Sequence, residues 1–218
     1  MEKRKIIIAV LFMFLVNGCS LVSLYPLFTE KEVIAVEGID GVWEGSLNVP
    51  SIKFKGGGLK KNKDVSDDKG VRWIVNRDTS SRAPVYELRQ LNKHGTELSN
   101  YQMFFGKVGK HTYANFYLEE TNCKFDALAK MMVIPVFTFA RVDWEGETIR
   151  FRWFSEDWIN KLFNENKIRL KHETAVINTV LTASPKEMQA FVKKYGDHPK
   201  AYSSDFLELK KVRGSEKN

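Results

Sequence analysis

Phe137-Thr-Phe-Ala-Arg-Val-Asp-Trp-Glu-Gly-Glu-Thr-Ile-Arg-Phe-Arg-Trp-Phe154 is the stretch whose reading decides the fold. Ile149, Phe151 and Trp153 alternate with Arg150 and Arg152, the period of two that gives a strand one apolar face and one wet face. Glu145-Gly146 stands midway, where a tight turn must form, so the stretch predicts an antiparallel hairpin.

Working outward, the same signals recur. Val85-Tyr-Glu-Leu-Arg-Gln-Leu91 turns at Asn92-Lys-His-Gly95 into Tyr101-Gln-Met-Phe-Phe105, which in turn pairs with His111-Thr-Tyr-Ala-Asn-Phe-Tyr-Leu118 across Gly109. Successive hairpins imply a meander, and a last strand is expected over Phe206–Val212. Two short helices interrupt it, at about 156–166 and 185–195. Ser155 precedes Glu156 and Asp157, with Trp158, Ile159, Leu162 and Phe163 on one stripe, the pattern of a capped amphipathic helix. Ser184 and Glu187 have capping-box spacing, Pro185 sits at the first helical position and Gly196 closes the end. The chain is therefore read as mainly β, an antiparallel up-and-down meander, with residues 33–218 forming one domain.

Gly41-Val-Trp43, at the start of the first domain strand, resembles the Gly-x-Trp signature of lipocalins, whose tryptophan closes one end of an up-and-down barrel. A meander followed by a late helix and one more strand is similar to that family too, although a helix at 156–166 is not part of its pattern. The resemblance implies a lipocalin-like barrel. Ser23-Leu-Tyr-Pro-Leu-Phe-Thr-Glu30, Gly-Val-Trp-Glu44 and Leu181-Thr-Ala-Ser-Pro-Lys-Glu-Met-Gln-Ala-Phe-Val192 together resemble a group of bacterial lipoproteins with no assigned activity. That likeness implies location and architecture and supplies no chemistry.

The N-terminus reads as a processing signal. Lys3, Arg4 and Lys5 precede eleven mostly apolar residues, Ile6 to Val16; a spanning helix needs about 20, whereas a secretory h-region uses about 7 to 15. Leu15-Val16-Asn17-Gly18-Cys19 resembles the lipobox of bacterial lipoproteins. The resemblance implies that residues 1–18 are removed, that Cys19 carries a diacylglyceryl thioether and an acylated amine, and that these chains anchor the protein stably in a membrane. In such lipoproteins an Asp after the cysteine implies retention in the inner membrane. Ser20 stands there instead, which implies the outer membrane, facing the periplasm. Residues 19–32 are then expected to be a lipidated tether, broken by Pro26. Two destinations are open to its apolar Leu21, Val22, Leu24, Tyr25, Leu27 and Phe28: the domain or the lipid surface.

The net charge of +7 is moderate, and its basic excess is densest between Lys53 and Arg72 around Gly56-Gly-Gly58. This is expected as a long solvated loop, with Lys53, Lys55, Lys60, Lys61 and Lys63 as a candidate contact for anionic head groups or an envelope polymer. Basic residues are not interleaved with aromatics on one face in a recognisable module, so nucleic acid is not an expected partner. With Cys19 lipidated, Cys123 has no partner for an internal disulfide, and the core must hold by packing. His94, His111, His172 and His198 lack paired-ligand spacing, there is no Cys-x-x-Cys, no Gly-x-Ser-x-Gly and no phosphate-cradling loop. No metal, cofactor or catalytic residue is nominated, and a site assembled from sequence-distant residues stays open.

What remains is an aromatic-rich body with 15 Phe, 7 Tyr and 5 Trp. A barrel of about eight strands encloses one small ligand or fills its own interior. Trp43, Trp73, Tyr86, Phe104, Phe116, Phe139, Phe151 and Trp153 are the candidate inward set, lining a site for a small apolar or amphipathic ligand or packing as solid core. The alternative function is a tethered module that docks on another envelope protein or polymer. The anchor itself is directly testable: Cys19→Ser should abolish partitioning into the detergent phase while leaving the fold intact, and unchanged partitioning would refute lipidation.

Overall fold

The 137–154 hairpin forms as its alternation requires. In a computed structural model, which describes residues 21–48, 50–55, 58–65, 71–121, 135–174 and 179–213, β9 (Phe137–Glu145) and β10 (Thr148–Phe154) pair antiparallel from Glu145↔Thr148 to Ala140↔Trp153. Gly146 takes the turn at φ 59°, a left-handed conformation that glycine adopts without a Cβ clash. The other strands preceding it are β1 (Val22–Ser23), β2 (Gly41–Asn48), β3 (Pro50–Lys55), β4 (Gly58–Val65), β5 (Arg72–Arg77), β6 (Val85–Leu91), β7 (Glu97–Val108) and β8 (His111–Thr121). After it come α1 (Glu156–Asn164), β11 (His172–Thr174), β12 (Thr179–Leu181), α2 (Pro185–Tyr195) and β13 (Tyr202–Lys211).

Strands β2, β5, β6, β7, β8, β9, β10 and β13 form a closed eight-strand antiparallel barrel in which each strand neighbours the next barrel strand along the chain. This is the lipocalin-like up-and-down architecture expected from the meander. Closure comes from β13 pairing back onto β2, from Phe206↔Asn48 to Lys211↔Trp43. At that seam a Cβ on Gly45 would overlap the Glu208 carbonyl, so only glycine lets the two strands approach.

The barrel has a closed end. Residues 33–40 cross it: Ile34 N–H donates to the Phe105 carbonyl at 2.8 Å and Val36 N–H to the Tyr86 hydroxyl at 2.9 Å. Ile34, Val36 and Ile39 join the interior cluster. Trp43 Nε1–H donates to the Ile39 carbonyl at 2.9 Å, and Lys211 Nζ sits 5.3 Å from the Trp43 ring centroid while donating to the Gly38 carbonyl at 2.7 Å. A buried ring, its donor satisfied and a cation on its face, thus pins the strap between the first and last barrel strands.

A second core lies on the outer face of β8–β10. Phe154 is its hub, with ring centroids 5.9 Å from Phe139, 5.6 Å from Phe191 and 4.9 Å from Tyr202. Both helices pack here with the apolar stripes expected of them. Ser155 Oγ accepts from Trp158 N–H, and the Ser184–Glu187 capping box is complete. Gly196 caps α2 in the right-handed region at φ −60°; its need is space, because a Cβ would stand 2.5 Å from Tyr113 Oη.

One open alternative is decided and one expectation needs correction. The tether expected over residues 19–32 is, from Leu21 onward, part of the fold. Val22 and Ser23 pair with Thr138 and Phe137 on one side and with Val180 and Leu181 on the other. Leu21, Leu27 and Phe28 are buried in the second core, Leu27 N–H donates to Asn115 Oδ1 at 2.7 Å, and Gln189 of α2 donates to the Leu27 carbonyl at 2.9 Å. Apolar side chains so close to an uncovered apolar wall gain more by burial than by solvation as a leash. The basic stretch expected as a loop is, where described, a two-stranded ribbon, β3 with β4, outside the barrel sheet and in register at Lys53↔Lys60 and Lys55↔Gly58. β-branched and aromatic Ile52 and Phe54 sit on β3 and suit a strand.

Leu27→Ala should therefore destabilise the protein by about 2 to 5 kcal/mol, the range for a fully buried leucine, in a urea unfolding titration. A cost near zero would restore the leash.

Candidate functional site

Alternation along the barrel strands sorts the candidate lining residues. Trp43, Trp73, Tyr86, Phe116, Phe151 and Trp153 face inward in one buried cluster. Phe104 and Phe139 do not. Met103 and Phe105 fill the interior, so Phe104 between them points out; Ala140 faces in, so Phe139 points out, and both pack against the second core. Met103, Phe105, Tyr101 and Val142 are inward residues that the sequence reading passed over. The doublet Phe104-Phe105 carries no parity of its own; counting by twos from half-buried Tyr101 would have found it.

The interior is not uniform along its axis. Near the strap and at mid-barrel Trp43, Met103, Phe105 and Phe151 are 0% exposed, and the rings interlock: Tyr86 meets Phe105 edge-on at 5.6 Å and Phe116 meets Phe151 at 5.4 Å. Toward the other end Trp73, Phe116 and Trp153 keep 5%, 6% and 9% of their surface. Beyond them Gln90, Ser99, Tyr101, Thr138 and Asp205 are half-buried and Leu118 is 43% exposed. The interior is fully covered at the strapped end, and its inward residues are half-buried at the other, which no strap crosses.

At this open half one donor is unused. Trp153 Nε1 is buried with no acceptor among the described residues, its ring 5.8 Å from Phe116. Such an orphan costs about 1 to 3 kcal/mol unless something pairs with it. Arg89 Nε and Asn100 Oδ1 also lack a hydrogen bond among the described residues, but Arg89 Nε stands 3.8 Å from Glu87 Oε2 and the two residues are directly opposed in the β6–β7 ladder as complementary donor and acceptor. Trp73 Nε1–H, by contrast, reaches the Gly45 carbonyl at 3.4 Å.

The outer wall carries other polar groups. A cleft of about 380 Å³ is lined by Asn76, Arg77, Asp78, Thr79, Val85, Glu87, Gln102 and Glu119; it is a mixed-charge surface groove, separate from the interior. Beside α2, Asp143 accepts from Arg141 Nε at 3.0 Å and from Arg152 Nε at 2.6 Å, and Tyr202 Oη donates to the Gly196 carbonyl at 2.8 Å. His111 and Lys110 hold the Asp197 carboxyl below its usual range by hydrogen bonding. Burial, reinforced by Tyr202, pushes the Tyr113 phenol up, so it stays protonated, the opposite of an activated base. These contacts fix the end of α2 to the barrel wall. Among the described residues no group of three or more His, Cys, Asp or Glu side chains could hold a metal ion, and no helix is long and apolar enough to cross a membrane. Cys19 and Cys123 lie outside the described residues, and Lys53, Lys55, Lys60, Lys61 and Lys63 lie on the β3–β4 ribbon.

What the geometry defines is a lipocalin-like barrel with one strapped and one open end. In comparison with known proteins the chain matches no family model, no curated protein and no solved structure.

Two of the three inward tryptophans, Trp43 and Trp153, should respond differently to truncation. Trp43→Phe, which strands the Ile39 carbonyl and removes the Lys211 contact, should cost about 2 to 4 kcal/mol, whereas Trp153→Phe, which deletes an unpaired donor along with some volume, should stay within about 1 kcal/mol of wild type. Equal losses by denaturant titration would show that the Trp153 donor is satisfied.

Proposed function

We propose that the protein is a lipid-anchored bacterial envelope lipoprotein whose barrel takes the end of a small apolar or amphipathic ligand into its open half. The observation that carries this reading is the buried Trp153 Nε1–H, without an acceptor among the described residues, beside Phe116 in the part of the interior where the rings keep some exposure. An apolar wall with one unsatisfied polar group is the usual composition of a small-ligand site. A ligand with an apolar chain and a carboxylate or ester oxygen would cover the rings and accept from the indole. Because Phe151, Met103 and Phe105 fill the interior below, such a ligand enters part-way rather than threading the barrel.

The anchoring half of the proposal rests on the leader and on Leu15-Val16-Asn17-Gly18-Cys19, with Ser20 favouring the outer membrane. A lipid-bearing compartment and a lipid-like ligand agree with each other. Titrating the Cys19→Ser protein, free of detergent, with a dansylated fatty acid should give saturable binding at about one site per chain. Trp153→Phe should weaken it by roughly tenfold, the worth of one hydrogen bond to a charged acceptor. No saturable signal would overturn the carrier.

A further inference from the structure

We infer that the cleft on the outer wall of β5–β8 is a binding site for a saccharide that carries no negative charge. The inference rests neither on lipidation of Cys19 nor on a ligand inside the barrel.

The sheet lays down the floor of this cleft. Asn76 of β5 pairs with Glu87 of β6, and Glu87 pairs with Gln102 of β7, so three consecutive strands present one row. Their neighbours Val75, Tyr86, Leu88 and Met103 fill the interior, which turns the row outward. On β8, Tyr117 is opposed to Gln102, and Glu119, two residues on, accepts from Gln102 Nε2–H at 3.4 Å. The β5–β6 connection supplies a side wall with Asp78 and Thr79. It is held where it leaves and rejoins the sheet, because Arg77 N–H donates to Asp40 Oδ1 at 2.7 Å and Asp78 N–H to the Val85 carbonyl at 2.9 Å. The volume of about 380 Å³ falls within the range of about 300 to 1,000 Å³ for small-molecule sites.

The lining excludes most ligand classes. Val85 is the one apolar residue in it, so an apolar ligand gains little. Asp78, Glu87 and Glu119 stand against the single guanidinium of Arg77, and Ser80 holds the Asp78 carboxyl below its usual range by hydrogen bonding, so an anion is repelled. The carboxylates are not grouped for a metal ion, since no set of three or more ligating side chains occurs among the described residues. A group that both donates and accepts remains, and a hydroxyl does so. The Asn76 amide, the Arg77 guanidinium and the Thr79 hydroxyl have no partner among the described residues, while amide and carboxylate alternate from strand to strand at about 4.8 Å. Donors and acceptors thus face hydroxyls on the edges of a sugar ring. Beside the floor Tyr117 is half-buried, its ring 5.2 Å from Phe137, and the negative face of an aromatic ring attracts the polarised C–H groups of a sugar.

The test titrates isotope-labelled Cys19→Ser protein with N-acetylglucosamine trimer, with maltotriose and, as the anionic counterpart, with galacturonic acid trimer, reading backbone amide shifts by NMR. At least one neutral trimer should give saturable shifts centred on residues 76–79, 87, 102 and 119, and the anionic trimer should bind several-fold more weakly. Arg77→Ala and Gln102→Ala should each weaken the neutral trimer by roughly three- to tenfold, the worth of one hydrogen bond; both residues are exposed, so the fold is retained. No saturable shift with either neutral trimer, shifts centred elsewhere, equal binding of the anionic trimer, or variants that bind as the parent does would each overturn the site. Binding of the dansylated fatty acid by the same protein is read separately and stands or falls on its own.

Discussion

The barrel depends on one approach of backbone to backbone, that of β2 and β13 at Gly45. A side chain there would occupy the space of the Glu208 carbonyl, and without that seam the sheet would have two free edges instead of none. Everything inside follows from closure. Trp43 is buried because β13 brings Lys211 over its face, and the strap across the end is held because Trp43 and Lys211 both donate to it.

The second constraint is that one wall serves two cores. Trp153 and Phe154 are neighbours in sequence yet belong to different clusters, the first inside the barrel and the second beneath the helices. The same division separates Phe105 from Phe104 and Ala140 from Phe139. A strand covered on both faces loses its polar alternation, which accounts for the many aromatics: part of them fill the barrel and part build the outer core.

Much of this was legible in the residues. The hairpin at Gly146, the turns at Gly95 and Gly109, both capped helices and the Gly-x-Trp start of the first barrel strand all carry local chemistry that the structure realises. What was hidden depends on tertiary partners. Leu21 to Phe28 has no strand period and contains Pro26, so nothing local shows that Asn115 and Gln189 wait to bind its backbone. The face of Phe104 was hidden by its twin, and the unused indole of Trp153 is visible only as an absence of neighbours. The lysine stretch read as a loop because Gly56-Gly-Gly58 dominates it, although such glycines equally suit a hairpin turn.

The N-terminal segment also sets the order in which the chain can become folded. Ser23 contacts Leu181 across 158 residues and Gln189 holds Leu27 across 162, while β2 must wait for β13 to close the seam. Contacts of such long separation form late, because each requires a large loop to be closed first. A chain that has not yet released its last strand has hairpins but no closed barrel. The clasp on residues 21–28 awaits Leu181 and Gln189, and closure of the barrel awaits β13, so the two ends of the described chain become ordered late and together.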